Sequence, residues 1–218
     1  AGKTPSVWCS FGNNFSLLSS PVFQNSSTPY YFRFDAGADK AEVTSVDIDV
    51  SMGFTVSIYI KRHATTSGYQ HCFRLTGAGY TNYLFAIFSH NNQVYYDSAG
   101  TGNTFSTFNL GLGNDDWTDN SGAWRNVIFT RENTAGSTTN RGEVYENGVS
   151  LRTQTDLSAI TNITNVYVNR NASSASATAK VDVGLIKIWQ RPFSDAEALA
   201  EYNATKSRNK EGGGGGGG

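Results

Sequence analysis

"IKIWQRPFSDAEALAEYNATKSR", Ile186 to Arg208, changes its period half-way along. Ile186 and Ile188 alternate with Lys187 and lead into Trp189, the pattern of a half-buried strand; beyond Arg191-Pro192 the spacing turns helical. Ser194 and Glu197 fit a capping box, in which the serine hydroxyl accepts from the Glu197 N–H and the glutamate reaches back to Ser194. Asp195 stands where the helix dipole favours a negative charge. Phe193 is placed to staple onto Ala198 or Leu199. Ala198, Leu199 and Tyr202 make a narrow apolar stripe, while Lys206 and Arg208 suit the far end. The stretch therefore predicts one late strand and one short helix lying across a sheet.

Upstream, alternation of period two dominates. In "FTVSIYIK", Phe54, Val56, Ile58 and Ile60 face one way, and Thr55, Ser57, Tyr59 and Lys61 the other. Similar short runs recur at "YYFRF", "HCFRL", "NYLFAIF", "QVYYD", "WRNVIFTR", "GEVYE", "VSLRTQT" and "NVYVNR". Turn residues separate them, and Asn147-Gly148 is the strongest hairpin signal because a type I′ turn needs positive φ at both central positions. So many short strands predict an all-β, two-sheet antiparallel jelly-roll sandwich rather than a parallel α/β sheet. One domain over residues 1–210 is the economical reading. The glycines of 211–218 can form no core and read as a tail, linker or placeholder.

Composition narrows the partners. Aromatic residues make up 13% of the chain and charged residues 16%, so the core is aromatic and β-branched and the surface is Ser/Thr/Asn-rich. Such surfaces are common in extracellular and virion β proteins. A net charge of −1 and no basic run argue against nucleic acid as a partner. No apolar run is long enough for a membrane helix. Cys9 and Cys72 both sit in strand-like segments; buried thiols are the plainer reading, and a disulfide the alternative in an oxidising compartment.

Taken in order, "YYFRFDAGADKAEV", "FTVSIYIKR", "GAWRNVIFTRE", "GEVYENGVSL" and "VDVGLIKIWQRPFSDAEALAEYNATKSR" resemble the laminin-G-like, or concanavalin A-like, jelly roll also shared with pentraxins. The resemblance covers residues 30 to 208, and the closing Ile-Trp, Arg-x-Phe-Ser and Tyr-Asn elements are its most specific part. It implies two curved antiparallel sheets closed by a short helix. It also implies binding more often than catalysis: glycans, proteins or calcium-bridged ligands held at the rim or on the concave face. Endings of this kind are frequent in phage, viral and bacterial surface proteins, which points to an extracellular or virion location.

Glycosidases on this jelly roll carry Glu-x-Asp-x-Glu on one strand, placing three carboxylates on one face. No such string is present. Glu143 and Glu146 are the nearest pair, and their odd spacing sends them to opposite faces, so a glycoside hydrolase is the least favoured reading. His71 adjoins Cys72, but strand neighbours point apart, so they form no dyad.

The candidate ligand site is "GLGNDDWTDNSGAW". Asp115, Asp116 and Asp119 could supply calcium with flexible oxygen ligands; the plainer alternative is a solvated turn in which the side chains bond their own backbone. Trp117, with Asp119 and Asn120, offers either a platform for a sugar ring or a cap folded onto the sandwich. A second set, Tyr83, Asn91, Asn92 and Tyr95, combines rings with amides as neutral sugars require, or is simply the polar face of a sheet. The expected function is a non-enzymatic recognition or adhesion module that binds glycan through these loops, with calcium as an assisting ion. The alternative is a structural capsid or filament decoration protein contacting neighbouring subunits. Either would work within an oligomer or larger assembly.

Overall fold

The alternation of Phe54 to Lys61 becomes the central strand of a sheet in the computed structural model. The structure describes residues 6–7, 16–18, 22–24, 31–34, 39–64, 70–77, 83–90, 93–99, 105–109, 124–169 and 180–209. The strands in chain order are β1 Ser6–Val7, β2 Ser16–Leu18, β3 Val22–Gln24, β4 Tyr31–Phe34, β5 Lys40–Val43, β6 Ile48–Asp49, β7 Phe54–Ala64 and β8 Gln70–Gly77. They continue as β9 Phe85–His90, β10 Gln93–Ala99, β11 Phe105–Asn109, β12 Arg125–Arg131, β13 Asn140–Glu146, β14 Val149–Leu157, β15 Asn162–Val168 and β16 Lys180–Trp189. Helix α1, Asp195–Thr205, follows and ends in a 3-10 turn, Lys206–Asn209.

Every strand pairing is antiparallel. The first sheet runs β14-β13-β12-β7-β16-β4-β3, with β1 on β16, and the second runs β11-β10-β9-β8-β15-β5-β2, with β6 on β15. This is the two-sheet antiparallel jelly-roll sandwich with one short C-terminal helix that the alternation predicts.

Phe54, Val56, Ile58 and Ile60 are fully buried between the sheets. Facing them, Phe73, Leu75, Phe85 and Ile87 come from the second sheet. Phe85 and Phe129 stack across the gap at 4.4 Å with planes 3° apart, and Phe54 meets Phe129 edge-on at 5.7 Å. Rings of this size in edge and stacked contact account for much of what holds two sheets together. Asn147 and Gly148 have φ of 51° and 80°, the paired positive values a type I′ hairpin demands.

The other face of β7 departs from its polar sequence. Thr55, Ser57 and Tyr59 are buried too, because α1 and the turn before it lie over the first sheet. Ile128 and Tyr145 pack against Ala198; Tyr59 and Thr205 share a hydroxyl hydrogen bond of 3.0 Å; Lys187 pairs with Glu201 at 2.7 Å. The capping box of Ser194 and Glu197 forms as its residues predict. The anchoring stripe differs from the expected one. Ala198 and Thr205 are the buried positions of α1, while Leu199 is 47% exposed, and Phe193 packs on Trp189 at 4.6 Å. Thr205 can occupy the seam because its hydroxyl is satisfied by Tyr59 and by the Glu201 carbonyl at 2.6 Å. Trp189 is buried beneath this strand-to-helix turn, and Trp124 meets Tyr31 edge-on at 5.4 Å; Trp8 lies outside the described residues.

Candidate functional site

Glu143 and Glu146 sit on opposite faces of β13, as their spacing requires. Glu143 faces outward and accepts from Arg141 and Ser150. Glu146 points between the sheets, where it accepts from Tyr96 Oη at 2.8 Å and Arg125 Nη1 at 2.9 Å. Tyr96 is fully buried, and burial followed by the adjacent Glu146 charge raises its pKa well above the usual phenol value, keeping it a donor. The two carboxylates do not converge, so they supply no acid and nucleophile pair.

The Tyr96–Glu146 bond also fixes one end of the sandwich. It ties the middle of β10 to the last residue of β13; Arg125 is the first residue of β12. Asn109, the last residue of β11, pairs with Tyr95 at this same end, and His90 pairs with Gln93. Hence the described strand ends that flank residues 91–92, 110–123 and 147–148 share one rim. Asn91, Asn92, Asp115, Asp116, Trp117, Asp119 and Asn120 lie outside the described residues, as does the side chain of Tyr95. Among the described residues no group of three or more His, Cys, Asp or Glu could hold a metal ion.

Inside the same end, Arg62 and Cys72 face each other's charge. Burial pushes the Cys72 thiol up to about 12, against the pull of Arg62, and burial lowers the Arg62 pKa. His71 turns the other way, its ring 5.8 Å from Tyr83 and 5.6 Å from Phe88, so the expected divergence of His71 and Cys72 holds. Cys9 lies outside the described residues.

The outer face of the second sheet is the one α1 does not cover, yet Arg74, Tyr83, Ala86 and Phe88 on it are buried. Ala41 and Val43, Val166 and Val168, Phe73 and Leu75, and Phe85 and Ile87 point into the core, which sends Glu42, Tyr167, Arg74 and Ala86 outward. Backbone register aligns these four in one row: Glu42 opposite Tyr167, Tyr167 opposite Arg74, Arg74 opposite Ala86. The Arg74 guanidinium lies over the Tyr167 ring at 4.5 Å. Tyr83, Ala86 and Phe88 form a small apolar cluster alongside, in which Tyr83 is buried.

Sequence reasoning singles out Tyr83 but passes over Arg74, His71, Phe88 and Tyr167. Within "HCFRL" the alternation shows only that Arg74 points outward. Which ring lies under it depends on β15, far along the chain.

A family model described as the concanavalin A-like lectin/glucanases superfamily, Laminin_G_3, matches residues 35–198. No curated protein matches the chain by sequence. Among solved structures, the binding domain of Paraclostridial Mosquitocidal Protein 1 superposes with a TM-score of 0.67 at 12% identity, covering 88% of this chain and 47% of that one. The ligand binding domain of botulinum neurotoxin serotype D, in complex with N-acetylneuraminic acid, gives 0.67 at 13% identity over 89% and 46%. The binding domain of botulinum neurotoxin DC with SialylT gives 0.65 at 13% identity over 90% and 48%. The chain thus spans about half the length of these structures, and at such identities the likeness is one of fold.

Proposed function

The chain belongs to the concanavalin A-like Laminin_G_3 family, and from that premise we propose that it is a non-enzymatic recognition or adhesion module that binds glycan. Its place is a cell or virion surface. Support comes from the similar solved structures, which are binding domains, one of them holding N-acetylneuraminic acid. The observation that carries the reading to this chain is the shared rim. The strand ends flanking residues 91–92 and 110–123 lie at one end of the sandwich, which supports a reading in which the segments between them act together; Tyr83, just before the start of β9, lies at the other end of that strand. In this proposal Trp117, Asn120, Asn91 and Asn92 contact sugar, and Asp115, Asp116 and Asp119 hold calcium. No helix among the described residues is long and apolar enough to cross a membrane.

The test is a glycan array probed with the purified chain, with calcium and with chelator. Retention that falls in chelator and in a combined Asp116→Ala, Trp117→Ala variant is the expected result. Absence of retention on any glycan would remove the proposal. A second reading, a decoration protein contacting neighbouring subunits, is favoured by Val149, 62% exposed beside the Asn147-Gly148 hairpin, and Leu199, which approaches Gly148. It predicts a stable self-assembled species burying more than about 1,000 Å², measurable by analytical ultracentrifugation and a structure of the assembly.

A further inference from the structure

Asn147-Gly148 is the one Asn-Gly pair in the chain. In such a pair the Gly148 nitrogen, with no side chain on its own residue to shield it, can attack the Asn147 side-chain carbonyl. The new N–Cγ bond closes a five-membered succinimide, the Cγ–Nδ2 bond breaks, and ammonia leaves. Water then opens the ring at either carbonyl, giving aspartate or isoaspartate. Water is the only co-reactant.

The folded hairpin holds the reacting atoms apart. The ring closes only when the Gly148 nitrogen lies on the same side of the Cα–C bond as the Asn147 Cβ. Asn147 and Gly148 have φ of 51° and 80°, the type I′ turn, in which ψ of the first central residue is about +30°. At that ψ the nitrogen stands nearly opposite Cβ and cannot reach Cγ. Two restraints keep the turn there. The Asn126 N–H donates to Asn147 Oδ1 at 3.0 Å, and the Asn147 N–H donates to the Asn126 carbonyl at 2.9 Å. Asn126 is fully buried, so the Asn147 amide is anchored to the body of the first sheet. On the other side α1 fills the space over Gly148, where a Cβ would stand 2.8 Å from Tyr202 Cδ1 and 3.0 Å from Leu199 Cδ1. Glu146, the residue before the pair, is itself clasped by Tyr96 and Arg125.

We propose that Asn147 is a deamidation site gated by the rim end of the sandwich, closed while the hairpin is seated between Asn126 and α1 and open once it lifts. The product is a lasting mark. A new carboxylate stands next to Glu146, and the isoaspartyl form lengthens the backbone by one methylene, which breaks the match of the two bonds to Asn126. The modification therefore opposes reseating of the hairpin. It is independent of the ligand that the rim takes.

Hairpin opening is far faster than ring closure, so the rate of modification tracks the open population. The experiment incubates the full chain in mildly alkaline buffer, native and in denaturing guanidinium chloride. Residue 147 is followed by peptide mass spectrometry, with isoaspartate quantified. Deamidation at least about tenfold slower in the native protein than in the unfolded chain is the expected result. Glu146→Gln, which weakens the clasp to Tyr96 and Arg125 and leaves Asn147 in place, is expected to speed native-state deamidation about tenfold. Equal rates in native and unfolded protein would overturn the proposal, because the turn would then give no protection. So would a Glu146→Gln rate equal to that of wild type, because the gate would then lie elsewhere. Should that variant fail to fold, the comparison of native and unfolded wild-type chain still decides.

Discussion

Replacing Glu146 by Gln tests whether the buried charge at the rim end holds the two sheets in register. The carboxylate accepts from Tyr96 Oη at 2.8 Å, a fully buried donor from the opposite sheet, and from Arg125 Nη1 at 2.9 Å. Gln keeps the shape but removes the charge. Hydrogen bonds to a charged group contribute about 1.5–3 kcal/mol each when buried. The Arg125 side chain is 16% exposed, so its bond is screened and belongs nearer about 1 kcal/mol. The loss should then total about 2–3 kcal/mol. For a domain near 200 residues each kcal/mol shifts Tm by roughly 2–4 °C, so a fall of about 5–10 °C is expected. The assay is guanidinium denaturation with a parallel thermal melt, reading the midpoint at unchanged m-value. Tyr96→Phe removes one of the two bonds and should cost about 1 kcal/mol; the double variant should show coupling of similar size. A Glu146→Gln variant within about 0.5 kcal/mol of wild type would refute the reasoning, because the carboxylate would then be solvated rather than bridging the sheets.

Four further outcomes follow from the helix, the hairpin and the core. Arg191 first, then the Ser194 backbone, hold the Glu197 carboxyl at about 2. That folded value lies below the unfolded one, so its stabilisation is present above about pH 4.3 and drains away as pH falls towards 2; Arg191→Ala should flatten this acid limb in melts at stepped pH. Ser194→Ala removes the helix cap and should cost about 1 kcal/mol in the same melts. Gly148→Ala combines a φ of 80° with a Cβ that would stand 2.8 Å from Tyr202 Cδ1, so more than about 1 kcal/mol should be lost by denaturation. With its pKa near 12, the Cys72 thiol of reduced, folded protein should resist alkylation at pH 8 and react once denatured, as read by peptide mass spectrometry; rapid modification in the native state would contradict its burial.

Much of the sandwich is legible from local pattern. Phe54, Val56, Ile58 and Ile60 announce a core-facing strand through spacing alone, Asn147-Gly148 announces its hairpin, and Ser194 with Glu197 announces the helix start. Each depends on residues adjacent in sequence. What escaped depends on distant chain segments meeting. Thr55, Ser57 and Tyr59 read as a solvent face because nothing near them reveals that α1 will cover it. Leu199 reads as an anchor because helical spacing cannot say how far the axis is rotated over the sheet; Thr205 takes the seam instead because Tyr59 satisfies its hydroxyl. Of the candidate site, residues 115–120 lie outside the described residues, and strand register places only the strand ends that flank them, Asn109 and Arg125, at the rim. Arg74 reads as a surface charge from its strand alone, because the ring beneath it, Tyr167, comes from a strand far along the chain.

Recognition without bond cleavage is tested most directly by calorimetric titration of the chain with a glycan retained on the array. A saturable isotherm whose heat flow returns to baseline after each injection is the predicted result. Sustained heat flow that persists until the sugar is consumed would contradict it, because only turnover produces that trace.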